Sequence, residues 1–204
     1  MSVIPVNLAV EDELSEAVLR RILSHLDRGY AVGTAYRQGG FGYLRRTITG
    51  WNRAAQGTPF IVLTDLDEYT CPRALIEQWL KEPQHENLVF RVAVREVEAW
   101  LLADPENLAH YLRVQQAQLP TDPDTLPDPK RAILDLARKS RSSEVRGRIV
   151  PKRGSTAQQG PDYNGCLAGF VATGWNIGAA ARQSPSLRRA VRRLATFRPG
   201  WNRR

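Results

Sequence analysis

Three short acidic groups in this sequence each stand directly after an apolar run. Glu11, Asp12 and Glu13 follow residues 3–10, Asp65, Asp67 and Glu68 follow residues 59–64, and Glu96 and Glu98 follow residues 87–94. Carboxylates gathered in one place repel one another. A hard divalent cation such as magnesium relieves that repulsion, because it takes oxygen ligands and keeps several waters. The spacing Asp65-x-Asp67 lets two carboxylates share one metal region. With a second ion, such a region can clamp both oxygens of a phosphoryl displacement. Plainer uses exist for the same acids: Glu11 to Glu16 as favourable helix-start charges, and Asp65 or Asp67 as caps or turn residues. Their recurrence after three apolar runs favours a metal site, with magnesium expected and manganese as a substitute.

Basic residues mark a second kind of chemistry. The net charge of +8 is unevenly distributed: residues 1–104 carry 11 basic and 14 acidic side chains, and residues 105–204 carry 18 and 7. Lys130, Arg131, Arg138, Lys139 and Arg141 fall on or beside one predicted helix. Arg146, Arg148, Lys152 and Arg153 follow in a predicted loop. Cations flanking an acidic metal site suit a phosphate backbone. Lys130, Arg131, Arg138, Lys139 and Arg153 are therefore candidate substrate-binding residues, and Lys152 or Arg153 is a candidate for stabilising charge in the transition state. A separate tail contains Arg188, Arg189, Arg192, Arg193, Arg198, Arg203 and Arg204. The spacing of four pairs Arg188 with Arg192 and Arg189 with Arg193 on a helix, which calls for an anionic partner, nucleic acid or protein.

Other classes are disfavoured. No apolar stretch approaches the ~18 residues of a membrane span. The segment MSVIPVNLAVEDE lacks the basic start of a signal peptide. Cys71 and Cys166 are far apart, and His25, His85 and His110 show no ligand spacing, so neither a disulfide framework nor a thiolate zinc site is expected. A reduced, cytoplasmic protein is the default expectation.

The elements that must position these groups alternate. Residues 3–10, 30–35, 59–64 and 87–94 read as strands. Helical patterns follow at Ala17 to Leu26, Tyr43 to Gln56, after Pro72 and from Glu96 to Asp104, and Gly39-Gly40-Phe41-Gly42 reads as a flexible turn. This rhythm predicts an α/β fold with a mostly parallel sheet flanked by helices over residues 1–112. The Pro-rich stretch 119–130 breaks the rhythm. A helix is predicted from Pro129, a loop over 141–160, and helices from Tyr163 to Leu194 broken at Gly174 and Pro185. Residues 113–204 thus read as a basic, mainly helical extension packed on the core. Trp51, Trp79, Trp100 and Trp175 read as packing residues, and Trp201 as an interface anchor.

The acids also carry a resemblance. Val10-Glu11-Asp12 with Ser15-Glu16-Ala17-Val18-Leu19 is similar to the first motif of Toprim-like domains, and Thr64-Asp65-Leu66-Asp67 is similar to their Asp-x-Asp motif. Arg95-Glu96-Val97-Glu98-Ala99-Trp100-Leu101-Leu102-Ala103-Asp104 resembles a motif of the DUF4276 and RloB-type branch of that superfamily. Asp12 departs from the pattern, which has Gly there. The resemblance implies magnesium-dependent cleavage of nucleic-acid phosphodiesters. Glu11 would be a metal ligand or general acid/base, Asp65 and Asp67 metal ligands, and Glu98 a residue completing the site. It also implies bacterial anti-phage defence beside an ABC or OLD-like ATPase, here a separate chain because no Walker A motif occurs. The expected function is a magnesium-dependent nuclease, DNA or RNA, possible as a homo-oligomer. The alternative is a non-catalytic adaptor that docks on an ATPase or an anionic ligand.

Overall fold

A computed structural model describes residues 3–202. Arg203 and Arg204 of the basic tail lie outside the described residues. Four strands form one all-parallel sheet: β1 (Ile4–Ala9), β2 (Tyr30–Tyr36), β3 (Phe60–Asp65) and β4 (Leu88–Ala93), in the order β2-β1-β3-β4. Helices α1 (Glu13–His25), α2 (Gly40–Ala54) and α3 (Pro72–Trp79) connect them. Side chains alternate across a strand, and both faces of β3 and β4 are buried. Ile61 and Leu63 of β3 and Val89 and Ala93 of β4 join the cluster that contains α1, whereas Phe60, Val62, Leu88, Phe90 and Val92 join the cluster of α2 and α3. Two covered faces explain why these strands read as nearly continuous apolar runs.

The strand order fixes where a ligand belongs. From β1 the chain moves to one side to form β2, then returns past β1 to form β3. The sheet reverses its winding between β1 and β3, and in open α/β sheets that switch point opens a crevice at the carboxyl ends of the strands. Glu11 leaves β1 there and Asp65 ends β3.

After α4 (Val97–Leu102) and α5 (Pro105–Leu112) come two single 3₁₀ turns and then α6 (Pro129–Arg138), α7 (Ser143–Ile149), α8 (Tyr163–Thr173), α9 (Ile177–Gln183) and α10 (Pro185–Thr196). One apolar cluster runs through β1, α1, α4, α6, α8 and α10. Trp51, Trp79, Trp100 and Trp175 are buried, and Trp201 is exposed.

Two local expectations need correction. The stretch 141–160 is not all loop, because Ser142 caps α7 by accepting the Val145 amide, and Ile149 is fully buried. That moves Arg146 and Arg148 onto a helix. Nor is Gly39-Gly42 a flexible turn. Gly39, at φ +85°, turns the chain, and Gly40 already begins α2. The reason is packing: Phe41 meets the Trp79 ring edge-on with centroids 4.7 Å apart, which anchors the first turn of the helix.

Candidate metal centre at the carboxyl edge of the sheet

The acids after β1, β3 and β4 are brought to one place because those three strands are neighbours. Glu11 bridges the first two exits. Its Oε1 accepts the Thr64 hydroxyl and, at 2.9 Å, the Asp65 backbone N–H. The exits of β3 and β4 are tied by the Leu66 N–H, which reaches the carbonyls of Ala93 and Arg95 at 2.9 and 2.8 Å. The Val94–Arg95 peptide is cis, and Asp67 has φ +47°. The Arg95 guanidinium donates to the Asp67 and Tyr69 carbonyls at 2.7 and 3.1 Å, holding the 67–69 turn against this edge.

Several acids do serve as caps. Asp12 accepts the Ser15 amide of α1 at 2.9 Å, and Asp65 Oδ1 accepts the Val97 amide of α4 at 2.9 Å. Glu96 Oε2 accepts the Lys130 amide of α6 at 2.8 Å. Capping uses one oxygen of each carboxylate. Among the described residues, no protein donor holds Glu11 Oε2 or Asp65 Oδ2.

The carboxylates share an electrostatic field. Burial raises Glu11, with Asp67 and Asp12 adding to the effect. Burial lifts Asp65 well above the ordinary carboxylate range, and Glu98, Glu11, Glu96 and Asp67 push it further. Asp67, exposed at the rim with its carboxyl only partly withdrawn from water, and Glu96 are raised too, desolvation being the first cause in each. Glu98, only 2% exposed, is pushed up to about 7 by burial against the pull of Lys130. Its Oε1 accepts the Tyr163 hydroxyl at 3.0 Å and lies 3.7 Å from Lys130 Nζ. Burial pulls the Lys130 ammonium down, but Glu98, Glu96, Asp65 and Asp12 outweigh that pull and raise it. Lys130 also lies 5.8 Å from the centre of the Tyr163 ring.

Other candidates lie elsewhere or at the rim. Glu13 is exposed, and Glu68, exposed like its neighbour Asp67, lines the cleft beside the acids. Arg131 and Arg138 both pair with Asp135 on their own helix, and Lys139 is exposed at its end. Lys152 and Arg153 stand on the exposed loop after α7, without a side-chain partner among the described residues. Arg188, Arg189, Arg192 and Arg193 lie on α10, with Arg193 partly covered over the Phe197 ring. The cation inside the acidic cluster is therefore Lys130. Tyr163 and Asn164, which donates to Asp12 Oδ2 at 3.2 Å, are further members that sequence spacing missed. No local signal marks them, because each lies more than 60 residues from its acid in the chain.

An oxygen-only donor set of mutually repelling carboxylates fits magnesium, which takes a few carboxylate oxygens and keeps water for the rest of its shell. It does not fit a preformed cage: among the described residues, no three His, Cys, Asp or Glu side chains assemble as a ready metal-ligand group. Next to the acids opens a cleft of about 570 Å³, lined by Asp67, Glu96, Phe41 and Tyr69 among others. A second cleft, of about 510 Å³, lies beside Arg113 and Arg141 and has no carboxylate in its wall.

The family described as "Domain of unknown function (DUF4276)" matches residues 10–195, a span holding every acid described above. The chain belongs to the DUF4276 family. No match was found among curated proteins or among solved structures. The DUF4276 span begins at the end of β1 and closes within α10, so it takes in both the acidic edge and the helices packed on it. Among the described residues, no helix is long and apolar enough to cross a membrane.

Proposed function

We propose that this DUF4276 chain hydrolyses nucleic-acid phosphodiesters with a divalent cation held at Glu11, Asp65 and Asp67. The observation that carries the reading is the convergence of carboxylates from three neighbouring strand exits at the switch point of a parallel sheet. The similarity of Glu11 and Asp65-x-Asp67 to the Toprim motifs supports it. Magnesium or manganese, when bound, supplies positive charge beside the phosphate and eases ionisation of water.

The residues divide the work. Glu11 locks the β1 and β3 exits together through one oxygen and keeps the other toward the cation. Asp65 does the same while capping α4. Lys130 balances part of the acidic charge. Glu98, near half-titrated at neutral pH, takes up or returns a proton at its carboxylate. Arg131, Arg138, Lys139 and Arg153 supply cations for the backbone outside the site, with Lys152 on the same exposed loop as Arg153.

The test is incubation with labelled single- and double-stranded DNA and RNA in magnesium. Cleavage by the wild type that is abolished by chelator and in Asp65→Asn supports the proposal. Cleavage that persists in either case contradicts it. One observation favours a second reading, a non-catalytic adaptor: among the described residues, the carboxylates do not already form a three-ligand group. Partnership with an ATPase and a place in bacterial defence rest on the resemblance and belong to the proposal.

A further inference from the structure

A second charged site lies on the sheet face covered by α10. Arg91 is in the middle of β4, on the same side as Val89 and Ala93, and that side packs against Leu187, Ala190 and Leu194 of α10. The helix is anchored there by Ser186, whose Oγ accepts the Val94 amide at 3.1 Å. Arg189 and Arg193, one turn apart, share a side of α10. Arg91 feels both: burial first, then the charges of Arg189 and Arg193, pull its guanidinium below the ordinary value.

Among the described residues, these three cations have one acidic neighbour, Asp124, which feels the charge of Arg189. Among the described residues, Arg91 has no ion-pair partner, and its Nε is buried without a hydrogen bond. Arg193 faces the Phe197 ring at 5.4 Å. Both oxygens of that acid are in use: Asp124 accepts the Ser184 hydroxyl at 2.6 Å and the Ser186 amide at 2.9 Å, capping α10. On the other flank the Arg28 guanidinium donates to the Phe197 carbonyl, and its Nε too is buried without a partner.

Like charges brought together are unfavourable unless an anion pairs with them, and more so where one of them, as Arg91, is partly withdrawn from water. Guanidinium groups present fixed forks of donors that match phosphate oxygens. Three forks offer more donors than the two oxygens of a carboxylate accept, whereas phosphate has oxygens for each. We propose that Arg91, Arg189 and Arg193 form a phosphate-binding subsite. Arg91 lies two strand residues, about 7 Å, before Ala93, the sheet partner of Asp65, and the charges that act on it are those of Arg189 and Arg193 and not of the carboxylates, which sets the subsite apart from the metal centre. A free phosphate group and a nucleic-acid backbone offer the same chemistry to it.

The experiment is calorimetric titration of the full chain with inorganic phosphate in chelator. The expected result is saturable binding that weakens at least tenfold in Arg91→Met and in the Arg189→Gln/Arg193→Gln double variant, and is retained in Arg182→Gln, at an exposed position of α9. The double variant alters surface side chains, so it remains informative if Arg91→Met folds poorly. Retention in Asp65→Asn separates this site from the nuclease reading. Competition by a single-stranded oligonucleotide assigns the phosphate to a backbone, and phosphate binding that the oligonucleotide leaves intact assigns it to a free phosphate group. No saturable binding by the wild type, equal binding of glutarate, or undiminished binding in the double variant overturns the proposal.

Discussion

Glu98 Oε1 accepts the hydroxyl of Tyr163 and, 3.7 Å away, faces the ammonium of Lys130. These residues come from three helices, so this contact joins the acidic edge of the sheet to α6 and α8. It also gives the site a pH dependence.

Glu98 is held at about 7, above its ordinary 4.5. Its folded-state pKa is raised, so the folded chain binds the proton more tightly. Its contribution to stability is complete below about pH 4.5 and is lost as pH rises through 7. Linkage puts the loss on the order of 3 kcal/mol. Thermal melts from pH 4.5 to 8 are expected to show a decline that flattens in Glu98→Gln. An identical slope in the variant contradicts the assignment.

Removing Lys130 takes away the cation within the cluster. Lys130→Met is expected to destabilise by about 1–3 kcal/mol at pH 8, a figure reduced from that of a fully buried pair because the Lys130 side chain is 37% exposed. The loss shrinks toward pH 5 as the carboxylates take up protons. Urea denaturation at the two pH values measures it, and a pH-independent loss contradicts the electrostatic account.

Glu11 is structural as well as chemical. Glu11→Ala strands the Thr64 hydroxyl and the Asp65 amide and is expected to cost about 2–4 kcal/mol, whereas Glu11→Gln keeps an acceptor for both and costs under about 1 kcal/mol. Chemical denaturation separates the two. Equal losses would show that the bonds to Thr64 and Asp65 contribute little.

Ser186 secures α10. Its Oγ accepts both the Val94 amide and, at 2.6 Å, the Trp100 indole N–H. Ser186→Ala leaves two donors unpaired and is expected to cost about 2–4 kcal/mol, with a changed near-ultraviolet signal from Trp100. An unchanged spectrum and melting temperature contradict this role.

Much of the sheet was legible because β1, β3 and β4 are short, mainly apolar runs followed by acids, while β2, a half-exposed edge strand, was bounded by Gly29 and the Gly39 turn. The acid-bearing exits also followed from sequence, since each acid directly trails its strand. What sequence spacing did not reveal was contact across the chain. Lys130 lies 32 residues from Glu98, and its place among the acids depends on where α6 packs. Tyr163 is 65 residues from Glu98. The Gly-rich 39–42 stretch misled for a different reason: tertiary packing of Phe41 outweighed a poor local helix propensity. Over 141–160, basic and Gly/Ser composition concealed Ser142, a good helix cap, and the buried Ile149.

The central claim is that Glu11, Asp65 and Asp67 hold a divalent cation. Electron paramagnetic resonance of Mn²⁺ titrated into the full chain tests it most directly. Loss of the free-ion signal at stoichiometric amounts, reversed by magnesium and weakened at least tenfold in Asp65→Asn, is the predicted result. An unbound Mn²⁺ signal with the folded wild type, or equal binding by Asp65→Asn, would contradict the account.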